Sequence, residues 1–343
     1  MSFTIQKKTA IEAYILEKIN DDSTNTVQKT EKAFGISSTS VYRYINKLIE
    51  TKKIEKTKNG EYSLICTIHS FMLKKDDLQD EDKIYKKYMA DELAGFKDDV
   101  LDIWRYSFCE MMNNVIDHSQ AQSATVIVKR SCLKTSVIIA DNGIGIFRNI
   151  KDKLFLDSLD DAVKELFIGK VTTDRKNHSG EGIFFTSKAL DSFAAISDNR
   201  IFTHNKSDEI LSDVKTIEEI KDYSDHKGTI IFMELSNTSN RKLKETFNKF
   251  EASGFAFTKT AIPMKSIFDY YPISRSEAKR LCSNLERFKE VELDFSGVPD
   301  MGQGFADQLF RVFKEANPNT KIIPKNMSEQ VMRMFKHVTH NSN

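Results

Sequence analysis

An α/β protein of several domains is the fold class this sequence predicts, and three patterns predict it. Residues up to about Cys66 carry three helical periodicities followed by two short strand-like runs on either side of Asn59-Gly60. From about Asp80 a long helical pattern gives way to strand-like runs mixed with helices. From about Ala261 helices and strands alternate in short order, the pattern of a small α/β unit. A chain of 343 residues can bury two or three separate cores. The expected division is a first domain at 1–66, a linker at 67–79, a central domain at 80–260 and a last domain at 261–343. The charged stretch KKDDLQDEDK (Lys74–Lys83) reads as a linker or a helix start.

Bulk composition excludes more than it names. Hydrophobic residues make up 40% of the chain, which argues against whole-chain disorder. Lys and Arg (51) nearly cancel Asp and Glu (50), so a net charge of +1 points to no partner, and any such argument must be local. Cys66, Cys109, Cys132 and Cys282 form no CxxC pair and no zinc spacing, as expected of a reduced intracellular protein. The N-terminus has charges throughout and no signal-peptide pattern, and no apolar run approaches the roughly 20 residues a membrane helix needs. The expectation is a soluble, cytoplasmic protein without a membrane partner.

In the first domain, helical patterns cover Lys8–Ile19, Thr26–Phe34 and Ser38–Glu50. Gly35 ends the second, and Ser37 or Ser38 is placed to cap the third. Two helices joined by a short Gly-containing turn is the helix-turn-helix pattern. Val41, Ile45, Leu48 and Ile49 would face inward, leaving Thr39, Ser40, Arg43, Asn46 and Lys47 to meet base edges and phosphates. The run KKIEKTKNGEYSLI, turning at Asn59-Gly60, resembles the wing of a winged helix-turn-helix domain. Between Thr26 and Gly60, eight Lys/Arg against three Glu leave a local excess of five positive charges. Helix, charge and wing together predict DNA binding; dimerisation or docking of another domain is the alternative.

The central domain holds the densest constellation. In EMMNNVIDHS, Glu110, Asn114 and His118 are spaced i, i+4, i+8 and share one helical face. His118 is as well explained by a structural hydrogen bond as by a ligand role. Further on, IADNGIGI (Ile139–Ile146) is a buried strand running into a glycine pair, and HSGEGIFFTSKALD (His178–Asp191) is a second glycine pair opening a helix. In this order the three stretches resemble the N box and the two glycine boxes of the GHKL ATPases, the superfamily of gyrase, histidine kinases and the large heat-shock chaperones. The resemblance implies an α/β sandwich with helices on one face of a mixed sheet, and a site for ATP and Mg2+. Asn114 would supply an amide oxygen to magnesium, and Glu110 would act as general base. Asp141 would accept from the adenine amino group. Gly143 and Gly145 would let the backbone approach the nucleotide, and Gly180 and Gly182 would open a helix toward phosphate. Thr229 would lie near the base. A mobile lid between Phe147 and Ser179 would bring Lys170, with Arg175, Lys176 and His178, to the phosphates. Within the superfamily, EMMNNVIDHS and SGEGI look most like the anti-sigma-factor serine kinases.

The last domain contains VELDFSGVPDMGQGFADQLFRVF (Val291–Phe313), which resembles the STAS domain of anti-sigma-factor antagonists. Where those carry a phosphoacceptor hydroxyl, this chain reads Met301-Gly302-Gln303-Gly304, and Ser296 is expected inside a strand. A docking or sensing module follows from that reading, and a plain packing domain is the alternative. Taken together, the expectation is a regulatory protein in which Mg-ATP binding, with slow hydrolysis, controls DNA or partner binding. The alternative is a protein serine/threonine kinase acting on a separate partner. A protein partner through the STAS-like domain and a homodimer are further expectations.

Overall fold

The computed structural model describes residues 4–169, 181–205, 207–215, 226–252, 256–268, 270–283 and 285–340. Three helices open the chain: α1 (Ile5–Asp21), α2 (Thr26–Phe34) and α3 (Ser38–Glu50). Gly35 ends α2 in the left-handed region at φ 61°, where a Cβ would be strained. Ser37 caps α3 by accepting the Ser40 N–H. An antiparallel hairpin follows, β1 (Ile54–Lys56) against β2 (Tyr62–Leu64), with Gly60 at φ 84° in its turn. Ile11, Ile15, Val41, Ile45, Leu48 and Ile54 close a small core of their own. Ile49, expected inside, is 36% exposed, because α3 turns only a narrow stripe toward α1 and α2.

The segment expected as a linker is instead structural. β3 (Thr67–Lys74) is the edge strand of a six-stranded sheet and pairs along its whole length with β4 (Ser123–Arg130). The backbone groups on its β4 side are thereby paired, which a composition-based reading does not register. After a 3-10 turn (Lys75–Asp77), α4 (Glu81–Ile84) runs on as a π turn (Tyr85–Met89). The long α5 (Asp98–His118) then leads into β4 and β5 (Lys134–Asp141). Next come α6 (Ile146–Leu154), α7 (Leu159–Ile168), α8 (Gly182–Ala189), β6 (Ser192–Ser197), β7 (Arg200–Thr203), α9 (Ser207–Lys215) and β8 (Ile230–Ser236).

Strand order in this sheet is β3-β4-β5-β8-β6-β7, and each of its pairings is antiparallel, so the sheet is not mixed as expected. Side-chain alternation gives it two apolar faces. Val126, Val128, Val137, Ile139 and Met233 join the large core under α5 and α8, while Ile127, Ile138, Ala140, Ile196 and Phe232 pack with Ile210 and Val214 of α9. Helices therefore lie on both faces, not one.

α10 (Leu243–Phe250) and two short strands, β9 (Glu251–Ala252) and β10 (Ala256–Phe257), lead to the last unit. There β11 (Lys259–Pro263), β12 (Glu290–Asp294) and β13 (Lys321–Lys325) form a parallel sheet. The expected boundary at 260/261 therefore cuts β11, which begins two residues earlier. Around the sheet are α11 (Met264–Ile267), α12 (Arg275–Cys282), α13 (Gln303–Asp307), a π turn (Gln308–Phe313), α14 (Lys314–Ala316) and α15 (Glu329–His340). Its apolar interior is continuous with that of the central sheet. Thr260 Oγ donates to the carbonyl of Ile168 at the end of α7 (2.7 Å), and Arg287 faces Glu165 at 3.9 Å. Among the described residues, no helix is long and apolar enough to cross a membrane.

Candidate functional site

The two ends of the β5–α6 and α5–β4 connections meet at one corner of the central sheet. β5 ends at Asp141, whose side chain is buried and accepts the Gly143 N–H at Oδ1 (2.7 Å). Its backbone N–H donates to the Thr229 carbonyl (2.9 Å), and its carbonyl oxygen lies 2.7 Å from His226 Nε2. Burial raises the Asp141 carboxyl above the ordinary value of 3.8, against the opposing pull of the Gly143 and Thr229 hydrogen bonds. Thr229, directly before β8, accepts the Ile146 N–H (2.9 Å) and so ties the start of α6 to the sheet. Asn142, between the two anchors, accepts from the backbone of Gln122 and Ser123.

Close backbone approach explains the glycines here. A Cβ on Gly143 would lie 2.1 Å from the Ser119 carbonyl oxygen, where α5 ends. One on Gly228 would lie 2.1 Å from the Asp141 carbonyl oxygen, and its φ of 107° is already left-handed. A Cβ on Gly145, at φ 86°, would lie 2.6 Å from Ser197 Oγ. Gly228 was missed in the sequence reading although the GT before IIFMEL is visible there; only the fold shows that it abuts Asp141.

α5 carries Glu110 and Asn114 one turn apart, both half-buried. A Cβ on Gly182, the first residue of α8, would lie 2.1 Å from Glu110 Oε2. The carboxylate thus occupies the space that a side chain at the head of α8 would take. Asn114 turns its Nδ2 toward Met111 Sδ at 3.9 Å, which leaves the carbonyl oxygen as the end free to ligate. His118 gives its backbone carbonyl to Asn149 Nδ2 (3.3 Å), a structural contact. Asp141, Gly143, Gly145 and Thr229 thus lie together at the end of β5, and Glu110 meets Gly182 where α5 faces α8, with Asn114 one turn further along α5. Lys170 and Gly180, together with Arg175, Lys176 and His178, lie outside the described residues. Among the described residues, no group of three or more His, Cys, Asp or Glu could hold a metal ion.

On α3, Thr39, Arg43 and Asn46 are exposed and Ser40 is half-buried. Ser40 is committed to the cap, with its Oγ 3.1 Å from Ser37 Oγ. Lys47 is committed as well: its Nζ sits 2.5 Å from Glu12 Oε1 on α1, which raises its pKa. That pairing removes Lys47 from the set of uncompensated cations, a tertiary contact over 35 residues that helix periodicity does not reveal. Arg43 keeps its outward position.

At the carboxyl end of the parallel sheet, Ser296 is not in a strand. It lies in the turn after β12, exposed, with Oγ donating to Asp294 Oδ1 (2.7 Å), an oxygen that also accepts from Asn326 Nδ2 (3.0 Å). α12 begins with a reciprocal cap in which Ser274 Oγ accepts the Glu277 N–H and Glu277 accepts the Ser274 N–H.

No curated protein matches the chain. Residues 277–332, from α12 through β12 and β13 into α15, match the family model of a STAS-like domain of unknown function (DUF4325), so the C-terminal unit is STAS-like.

Proposed function

We propose that the chain is an ATP-responsive regulatory protein in which Mg-ATP at the Asp141 corner controls DNA or partner binding. One observation carries this reading: Gly143, Gly145, Gly182 and Gly228 stand where a Cβ would collide, around one buried carboxylate and one carboxylate–amide helix face. Glycine at these positions keeps side chains out of the way of a ligand that approaches the backbone closely. The residues fit the nucleotide chemically. Asp141 offers a buried acceptor to an exocyclic amine, a contact whose loss leaves an unpaired buried group. Asn114 offers a hard oxygen to magnesium, and one protein oxygen suffices where phosphates and water complete the shell. Glu110 lies beside the head of α8, where it can take a proton from an attacking hydroxyl. The N-terminal amides of α8 favour negative charge. When bound, the triphosphate would supply a phosphoanhydride to cleave. Everything else is positioning by these side chains.

The winged-helix reading of residues 4–66 rests on the three helices, the hairpin and the outward Arg43. It makes DNA the first partner to try, with Thr39, Arg43 and Asn46 as contacts. The STAS-like unit is the natural seat of a protein partner.

The test uses the full chain and its Glu110→Ala variant, incubated with Mg2+ and terminally labelled ATP. Expected is nucleotide retained by both, with free labelled phosphate from the wild type alone. Asn114→Ala should lose the magnesium-dependent part of retention. A wild type that retains no nucleotide overturns the reading. Label transferred to a protein from a lysate, with no free phosphate, would move the conclusion to a protein serine/threonine kinase, which Glu110 could serve equally well.

A further inference from the structure

Two cysteines stand at the hinge between the first three-helix unit and the central sheet. Only Ile65 and Cys66 separate β2 from β3, so any reorientation of the unit must bend there. Cys132 lies in the turn between β4 and β5 and packs, with Leu133, against the unit's own apolar core. Beyond that contact, a cleft of about 1280 Å³ separates the unit from the sheet, lined by Asp21, Tyr62 and Cys66 on one side and Ile127, Lys129 and Phe232 on the other.

Register brings the two thiols together. Thr67 of β3 is opposite Arg130 of β4, so Cys66 and Cys132 continue the two chains past that pair, offset by one residue. Cys66 thereby comes opposite Ser131, the chain neighbour of Cys132, which bounds the separation of the two Cα atoms at about 9 Å. Disulfides span about 4.4–6.8 Å between Cα atoms. β4 has already ended at Arg130, so Cys132 is released from strict alternation and turns toward the three-helix unit. Both are free thiols, Cys66 exposed and Cys132 half-buried. Burial pushes the Cys132 thiol up, Lys53 pulls it down, and the Cys66 thiol beside it raises it, consistent with close neighbours. The remaining two are poor competitors: burial pushes Cys109 and Cys282 each up to about 12.

We propose that Cys66 and Cys132 are a thiol-oxidation site at which a hydroperoxide forms an internal disulfide, pinning the N-terminal unit to the β4–β5 turn. Cys66, the accessible thiol, attacks the peroxide. Its sulfur loses two electrons, the O–O bond breaks, and Cys66 becomes a sulfenic acid as water or an alcohol leaves. The Cys132 sulfur then attacks the Cys66 sulfur; the S–S bond forms, the S–O bond breaks, and the hydroxyl departs as water with the Cys132 proton. A thiol reductant reverses the bond. This goes beyond the nucleotide and DNA readings and depends on neither.

The test treats the full chain with hydrogen peroxide, blocks remaining thiols and digests with trypsin without reduction. Cleavage after Lys58, Lys74, Arg130 and Lys134 isolates Asn59–Lys74 and SCLK, each with one cysteine. Expected is a linked pair of these peptides at the mass of the two less two hydrogens, from a chain that runs at single-chain mass on a non-reducing denaturing gel, and its loss on adding dithiothreitol. Cys132→Ser should instead leave Cys66 as a sulfenic acid trapped by a dimedone-type reagent. Cys66→Ser should leave Cys132 unoxidised at the same dose. Cys66 sulfenic acid accumulating in the wild type without the linked pair overturns the proposal. So does a Cys66–Cys66 link between two chains as the main product. Hydrogen exchange of unoxidised Cys66→Ser matching the wild type would exclude misfolding as the cause of its result.

Discussion

At Asp141, burial and hydrogen bonding pull in opposite directions, and burial prevails, so the carboxyl sits above its ordinary value of 3.8. The folded chain therefore holds this proton more tightly than the unfolded chain does. Its stabilising contribution is complete below the unfolded value and is lost as pH rises through the higher folded value. Asp141→Asn removes the buried charge while keeping an oxygen for the Gly143 N–H. It should leave stability at pH 7 unchanged or raise Tm by a few degrees, on the scale of about 2–4 °C per kcal/mol. If the proposed ATP site is right, the same variant should weaken ATP binding about tenfold or more, because one end of the acceptor offered to adenine becomes a donor. Thermal unfolding beside nucleotide titration checks both; a large loss of stability would show that Asp141 serves the fold alone. The glycines sort by what they touch. Gly143→Ala meets the Ser119 carbonyl, a backbone atom that cannot rotate away, and should destabilise by about 1–3 kcal/mol. Gly182→Ala meets the tip of Glu110, which can swing aside. It should spare Tm and lower turnover, because the carboxylate no longer points at the head of α8.

The elements owe their positions to different devices. α3 is an amphipathic helix capped by Ser37, whose inward Val41, Ile45 and Leu48 hold it against α1. Its Lys47–Glu12 bridge is exposed on the lysine side, so it contributes little to stability. It does decide charge, and Arg43 is left as the main cation on that face. Arg43→Ala should lower affinity for double-stranded DNA by about 1–3 kcal/mol while leaving nucleotide retention unchanged. An unchanged salt-dependent affinity would remove α3 from the DNA reading. α12 illustrates local control: with both halves of its cap present, Ser274→Ala should cost about 1 kcal/mol by denaturant unfolding.

Over the whole molecule, the central sheet is the body to which both other units attach, by unlike joints. The STAS-like unit shares a continuous apolar core with it, and Thr260 and Arg287 reach α7. Acid should weaken this body. Burial, helped by Lys188, pushes His204 down to about 3 from 6.5, and its Nε2 has no hydrogen-bond partner among the described residues. Between these values the unfolded chain binds a proton that the folded chain does not, so stability falls as pH drops from 6.5 toward 3. His204→Phe, set among Phe167 and Phe202, should flatten that slope and raise stability at pH 5, measured by urea unfolding.

Periodicity and breakers determined much of this protein without its fold. α2 and α3 run over the residues their patterns cover, the Asn59-Gly60 turn joins two paired strands, and the strand-like runs after the long helix fall in neighbouring strands β4, β5 and β8. These signals are local, because side-chain spacing and turn chemistry act within a few residues. The site's residue types were legible for the same reason: Glu110 and Asn114 are one helical turn apart, and Asp141 closes an apolar run. Tertiary structure alone decided the rest. The charged end of β3 hid a strand that exists only because β4 pairs with it, and the antiparallel order of the sheet depends on which strands meet. Lys47 lost its freedom to Glu12, and Gly228 acquired its role by lying against Asp141. Each of these rests on contact between residues far apart in the chain, which sequence spacing does not encode.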